Sequence, residues 1–221
     1  MKKIIAFDFD GTLIKAEPAE TAQQEWFNVM GYLLKSPKVK KLAGNKDYFR
    51  DVFNVLEKYT GLDQKVPLDR QVMTRFARNL FQMLYLANIR KVGKAAFYDG
   101  LIDIIVDHKV NHSIALVTTA PEDSVEPALE IAKIKDLFDF IVKSPVDQQP
   151  SKLEVFAPFV KKYGQPMLYV GNSVEDGEAC KELGIPFVLC MWGKYDEDAK
   201  RFAKYKIRSP EELKSIINIE S

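Results

Sequence analysis

The chain is poor in the residues that build disulfides and zinc sites. Its 221 residues include two cysteines and two histidines. Cys180 falls in a helix-like stretch and Cys190 at the end of a strand-like one, with no Cys-x-x-Cys pattern. Both read as buried thiols, which argues against a disulfide framework and fits a reducing compartment. His108 and His112 flank a loop, have no partners at zinc spacing, and are expected at the surface. The chain also lacks a charge excess. Its 32 basic and 31 acidic side chains leave a net charge of +1. No polyanion partner such as nucleic acid is implied, and the cluster Lys38, Lys40 and Lys41 reads as solvated surface. No run of 18 apolar residues occurs, so no membrane span is expected. Only four apolar residues separate Lys2-Lys3 from Asp8, so no signal peptide is expected and the location implied is cytoplasmic. There is no internal repeat and no low-complexity tract.

What is present is enough apolar material for a full core, 47% of the chain. From about Gly100 onward, strand-like and helix-like segments alternate. Strands are predicted over 113–117, 138–142, 167–170 and 187–190. Helices are predicted over 121–134, 151–163 and 176–183, and from Ser209-Pro210 to the end. Ser151-x-x-Glu154 forms a capping box, Pro158 is a candidate kink, and Ser209-Pro210-Glu211-Glu212 is a helix start. This alternation argues for a parallel sheet between helical layers, with Ile4-Ile5-Ala6-Phe7 as its first, central strand. The fold class is therefore α/β, a Rossmann-like three-layer core.

Residues 15–94 differ. They hold no convincing strand, and apolar residues recur at helical spacing in three stretches. These are Ala22, Trp26, Val29, Met30 and Leu33; Phe49, Val52, Phe53, Leu56 and Tyr59; and Val72, Phe76, Leu80, Met83, Leu84 and Ala87. Breaks fall near Ser36-Pro37, Gly44-Asn45 and between Gly61 and Pro67. The segment reads as an all-helical domain inserted into a core of residues 1–14 and 95–221.

The most informative string is Asp8-Phe9-Asp10-Gly11-Thr12-Leu13, directly behind the first strand. Side chains alternate along a strand, so Asp8 and Asp10 share a side, roughly 6.6 Å apart. At an effective dielectric near 20, two carboxylates at that distance repel by about 2.5 kcal/mol. A cation between them, or a proton on one, removes that cost, and both remedies suit phosphoryl transfer. Gly11 lets the backbone turn tightly, and the N–H groups at Gly11 and Thr12 can face an anion. In an open parallel sheet, ligands bind beyond the carboxyl ends of the strands, where these residues lie.

The string resembles the first motif of the haloacid dehalogenase superfamily, in its phosphatase branch with a helical cap inserted after that motif. The resemblance implies Asp8 as nucleophile, Asp10 as general acid and base, and Mg2+ as cofactor, held partly by the Asp10 backbone carbonyl. Thr118, ending an apolar strand, matches the second motif, with Thr119 beside it as a second hydroxyl that can meet phosphate or cap the following helix. Lys152, at a helix start, is the favoured match for the phosphate-binding lysine. Its neighbour is Leu153 where the family usually has Pro, and Lys143 is the rival. Gly171-Asn172-Ser173-Val174-Glu175-Asp176 resembles the last motif, which supplies metal ligands, so the implied metal set is Asp8, Asp10, Asn172 and Asp176. Asn172 stands where the family has Asp. It brings an oxygen but no charge, and weaker magnesium binding is expected. Arg90, Lys91 and Lys94, near the return to the core, are candidates to face an anionic substrate. The implied partner is a small phosphorylated metabolite. Two other readings stay open: a phosphosugar mutase on the same scaffold, and a catalytically weak binding or regulatory module.

Overall fold

The computed structural model describes residues 2–45, 47–145 and 150–221. The chain divides into two compact units, Met1–Ala16 with Gly93–Ser221, and Glu17–Val92.

The first unit is built on strands β1 (Ile4–Phe7), β2 (Ser113–Pro121), β3 (Phe140–Ser144), β4 (Leu168–Gly171), β5 (Phe187–Cys190) and β6 (Tyr205–Ile207). They form one sheet in the order β3-β2-β1-β4-β5-β6, with every pairing parallel. All four residues of β1 are buried, as are those of β4 and β5. Continuous burial explains why these strands read as plain apolar runs rather than alternating ones. Side chains still alternate between faces. Ile4 and Ala6 join Ala115, Val117, Phe156, Phe159 and Tyr169 in one core cluster, so Ile5 and Phe7 face the other way.

Helices α1 (Glu17–Leu33), α2 (Pro37–Lys40), α3 (Tyr48–Thr60) and α4 (Pro67–Val92) belong to the insert, and α5 (Leu101–Lys109), α6 (Glu122–Ala132), α7 (Lys152–Tyr163), α8 (Val174–Leu183) and α9 (Pro210–Glu220) to the first unit. Phe156 and Phe159 of α7, with Ala179 and Cys180 of α8, share the cluster of Ile4 and Ala6. Helix α7 starts at the expected capping box of Ser151 and Glu154, α8 at a second one of Ser173 and Asp176, and α9 at a third of Ser209 and Glu212. Pro158 lies inside α7 without ending it. The expected core strands and helices are present, β1 and β5 with the expected bounds and the others with ends shifted by at most four residues. Strand β2 runs four residues further than expected, and its pairing with β3 shifts register between Val117 and Pro121. Short β6 and helix α5 went unread in the sequence.

The helical unit packs Trp26, Phe27, Met30, Val39, Tyr48, Val52, Val55, Leu56 and Met73 into its own core. Trp26, Phe27 and Tyr48 meet edge to face, with ring centroids 5.2 to 6.4 Å apart. The buried side of α4 differs from the stripe read in the sequence. Met73, Tyr85, Asn88 and Ile89 are buried, whereas Val72, Phe76 and Met83 are exposed. Helix α4 carries apolar residues around much of its circumference, so spacing alone left its orientation undetermined.

One expectation in the core unit is overturned. His112 is buried, with Nδ1 3.2 Å from the His108 carbonyl oxygen and Nε2 3.1 Å from the Ser221 hydroxyl. A histidine packs inside when both ring nitrogens find partners. Both cysteines are free and buried. Among the described residues, no helix is long and apolar enough to cross a membrane.

Candidate active site

The sheet order places β1 between β2 and β4: the chain winds from β1 to β2 and β3 on one side, then returns past β1 to β4, β5 and β6 on the other. A crevice opens at such a switch point, beyond the carboxyl ends of the strands. Here it is a cavity of about 440 Å³, lined by Asp8, Asp10, Gly11, Thr118, Thr119, Lys152, Asn172, Ser173, Glu175, Lys194, Tyr195 and Asp196, among others.

Asp8 follows the last residue of β1, and its N–H donates to the Val170 carbonyl at 2.8 Å. Two residues on from Ala6, it faces the α7 side of the sheet. Lys152, the first residue of α7, comes from that side. Its ammonium lies 2.5 Å from Asp8 Oδ1 and 2.9 Å from Asp176 Oδ1. It also donates to the Tyr169 hydroxyl at 2.9 Å and the Val117 carbonyl at 3.3 Å. Lys152 is 4% exposed and Asp176 0%. A buried ammonium needs such partners. Lys143, the rival at the sequence level, instead pairs with Glu126 and lies 3.9 Å from Glu122.

One ammonium thus serves two carboxylates, and they are not equivalent. Burial alone would raise Asp176, but Lys152, the Ser173 hydroxyl and the Ser173 N–H outweigh it and hold this acid below the usual range. Asp8 goes the other way. Burial lifts its carboxyl to about 7, Lys152 opposes the rise, and the charge of Asp176 adds to it. Burial also disfavours the charged lysine, yet the two carboxylates more than compensate and keep Lys152 charged. Asp8 is therefore the acid whose ionisation this site leaves near neutrality.

Asp10 stands at the exposed rim of the cavity. Surrounding protein raises its carboxyl to about 6, with Lys152 pulling the other way. Its contact with solvent argues that the rise is smaller than a fully enclosed acid would show. Thr118 is buried, and its hydroxyl oxygen accepts from the Ala120 N–H at 3.0 Å, which leaves the hydroxyl proton free to donate. Thr119 also lines the cavity. It does not cap α6, whose N-cap, Pro121, has no side-chain cap.

Other expected site residues sit differently. Gly11 takes the left-handed conformation at φ 72°, and a Cβ there would meet Asn172 Nδ2 at 2.3 Å. Its N–H is already bonded to the Ile14 carbonyl at 2.9 Å, so it does not face an anion. Thr12 is fully buried. Its hydroxyl lies 3.4 Å from Asn172 Oδ1 and 3.5 Å from Cys190 Sγ, turned into the protein. Lys94 is exposed on the short turn Gly93–Ala96 and is not part of the cavity wall. Lys91 belongs to the helical unit, where it pairs with Glu25 at 3.6 Å and donates to Asn88 at 3.3 Å.

Sequence reading missed the loop after β5. Met191–Asp196 supplies Lys194, Tyr195 and Asp196 to the cavity. The Asn172 Nδ2 donates to the Lys194 carbonyl at 2.9 Å, and the Asp196 N–H donates to the Asn172 carbonyl at 2.9 Å. The only signal available was position, a polar segment behind a buried strand.

The oxygen donors present suit magnesium in kind. Asp8 Oδ2 has no hydrogen-bond partner among the described residues, the Asp10 carboxylate is exposed, and Asn172 Oδ1 meets only the long Thr12 contact. Asp176 has both oxygens engaged by protein donors. Among the described residues, no three His, Cys, Asp or Glu side chains are grouped to hold a metal.

The described residues thus build a six-stranded parallel α/β sheet with an acid pair at its switch point, and the helical insert follows that pair in the chain. The family model of the haloacid dehalogenase-like hydrolases matches residues 5–190, and the chain belongs to that family. A phosphoglycolate phosphatase of Salmonella typhimurium is 28% identical, over 86% of this chain and 81% of that protein. The fold is also that of YfnB from Bacillus subtilis, solved bound to magnesium, with a TM-score of 0.64 and 17% identity over 98% of this chain and 99% of that one. CbbY from Rhodobacter sphaeroides, solved with xylulose-1,5-bisphosphate, has a TM-score of 0.65 at 19% identity, covering 96% of each chain.

Proposed function

We propose that this hydrolase is a magnesium-dependent phosphatase that cleaves a small phosphomonoester through an aspartyl-phosphate on Asp8. The observation that carries the reading is the convergence of Asp8, Asp10, Thr118 and Lys152 on one cavity, with the Lys152 ammonium 2.5 Å from Asp8 Oδ1.

The ionised Asp8 carboxylate attacks phosphorus, and the bond to the leaving oxygen breaks as the aspartyl-phosphate forms. Asp10 donates its proton to the leaving alkoxide. It then accepts a proton from water, which attacks phosphorus, releases inorganic phosphate and restores Asp8. A carboxyl raised to about 6 suits both transfers near neutral pH. The Thr118 hydroxyl donates to a phosphate oxygen, and Lys152 offsets charge on the transferring group. Asp8, the Asp10 main-chain carbonyl and Asn172 Oδ1 would hold magnesium, which when bound offsets the repulsion between the attacking carboxylate and the phosphate oxygens.

Charge supports the cation requirement. Four carboxylates, Asp8, Asp10, Glu175 and Asp196, line the cavity with two lysines, Lys152 and Lys194. A wall with that balance repels a phosphate dianion unless a cation joins it. Residues 1–14 and 95–221 would form the catalytic core, and 15–94 a helical cap that selects the substrate.

The test is phosphate release from sugar phosphates, nucleotides, phosphoglycolate and an aryl phosphate, with magnesium and with chelator. Release should need magnesium and fall at least a thousandfold in Asp8→Asn, since the nucleophile is lost. Full activity in that variant, or in chelator, refutes the mechanism.

A further inference from the structure

The cavity wall contains one cation that the proposed chemistry leaves unused. Lys152 is enclosed and divided between Asp8 and Asp176. Lys194 is exposed, lines the same cavity, and makes no ion pair among the described residues. Glu175 and Asp196 line the wall too, and neither pairs with it.

The backbone around Lys194 is held firmly for an exposed loop. Its carbonyl accepts from Asn172 Nδ2 at 2.9 Å. Two residues before it, the Trp192 Nε1–H donates to the Thr12 carbonyl at 3.2 Å. Two residues after it, the Asp196 N–H donates to the Asn172 carbonyl at 2.9 Å, and Asp196 Oδ2 accepts from the Val174 N–H at 3.1 Å. The loop is thus tied to the Asp8–Thr12 turn on one side and to the start of α8 on the other. The donor at Asn172 matters, because a carboxylate there could not bond the Lys194 carbonyl. A pinned backbone holding an unpaired ammonium at a binding cavity is a preorganised anion contact: the loop needs no ordering when ligand arrives.

We infer that Lys194 is a specificity residue that selects phosphomonoesters carrying a second anionic group, a carboxylate or another phosphate, on the same small carbon skeleton. The inference rests on the phosphatase reading. The scissile phosphate has Thr118, Lys152 and a cation to meet it, whereas among the described residues of this unit's cavity wall a second negative group has only Lys194. Such a group would otherwise face Glu175 and Asp196 alone.

The experiment compares phosphoglycolate with ethyl phosphate, which has the same length and lacks the carboxylate, in wild type, Lys194→Met and Lys194→Arg. Wild type should prefer phosphoglycolate. Lys194→Met should lower that preference, as a ratio of kcat/KM values, by about tenfold, the range of a charge-assisted hydrogen bond. The loss should fall in KM rather than kcat, and Lys194→Arg should restore most of it. Equal loss for both esters, or no loss for either, overturns the inference. Calorimetric binding of the same two esters to magnesium-loaded Asp8→Asn protein, with and without Lys194→Met, reads the residue without turnover. A tenfold selective weakening of phosphoglycolate there supports the inference, and equal binding overturns it. If wild type hydrolyses neither these esters nor any other phosphomonoester of the panel while that selective weakening is found, the phosphatase reading fails and the anion contact stands.

Discussion

Replacing Asp176 by Asn should cost far more stability than one lost charge suggests. Asp176 is completely enclosed. Its Oδ1 faces the Lys152 ammonium at 2.9 Å and the Tyr169 hydroxyl at 3.2 Å. Its Oδ2 accepts from the Asn172 N–H at 3.1 Å, the Ser173 N–H at 3.0 Å and the Ser173 hydroxyl at 2.7 Å. Both ends of the carboxylate therefore meet donors. An Asn of the same shape has one acceptor oxygen and one NH2 group. With the oxygen toward Ser173, the NH2 group faces the ammonium. Turned round, it faces two backbone N–H groups at the start of α8. Either way a donor meets donors without solvent to relieve it, and Lys152 keeps only Asp8 as a charged partner.

Removing one partner of a buried pair costs about 3–5 kcal/mol. For a chain of this size that is a fall in Tm of roughly 6–20 °C. Urea unfolding followed by far-ultraviolet circular dichroism measures it directly. The double variant Lys152→Met/Asp176→Asn should be less destabilised than the two single changes added together, with a coupling of at least about 2 kcal/mol. A cost below about 1 kcal/mol for Asp176→Asn, or simple additivity in the double variant, would refute the claim that this carboxylate holds the lysine in place.

Asn172→Asp should tighten magnesium about tenfold by calorimetry, through the added charge in the ligand set. It should also speed amide exchange at Asp196, because the donor to the Lys194 carbonyl is lost. An unchanged or weaker affinity removes Asn172 from the ligand set. Asp139 should contribute to stability above pH 4 and lose that contribution in acid. Burial works against its charge, but the Ile114 N–H at 2.8 Å and Lys109 at 3.1 Å hold its carboxyl below the usual range. A group whose folded value lies below the unfolded one stabilises fully above the unfolded value, near 3.9, and loses this as pH falls through the folded value. Its side chain is 38% exposed, so the effect should stay under about 1 kcal/mol. Acid titration of Asp139→Asn by circular dichroism should be correspondingly shallower, and an equally steep loss would count against it.

Buried parallel strands were legible in the sequence because they are unbroken apolar runs between turn signals, as Ile4–Phe7 and Phe187–Cys190 show. The start of α7 was legible because a capping box is local, needing only Ser151 and Glu154. The face of α4 was not, since Val72 and Phe76 are as apolar as the buried Met73 and only tertiary packing separates them. His112 was misplaced for a similar reason: its partners are a carbonyl four residues back and a hydroxyl 109 residues away. Strand β6, three residues long, carries too short a pattern to register.

Asp8 and Asp10 declared themselves in one hexapeptide, but the unequal ionisation of Asp8 and Asp176 could not. Two aspartates at positions 8 and 176 are chemically identical as letters. They differ because Asp176 sits at the first turn of α8, where Ser173 and backbone N–H groups converge on it, while Asp8 ends a strand whose N–H groups are spent on the sheet. Lys152 lies within reach of both, and the carboxylate that meets more protein donors, Asp176, is the one held ionised. Asp8 is left as the weaker partner, high in pKa and with one oxygen free of the lysine. In the proposed reaction those properties let the carboxylate exchange its ammonium contact for an incoming phosphoryl group, and they arise from where two helices start rather than from any other residue of the hexapeptide.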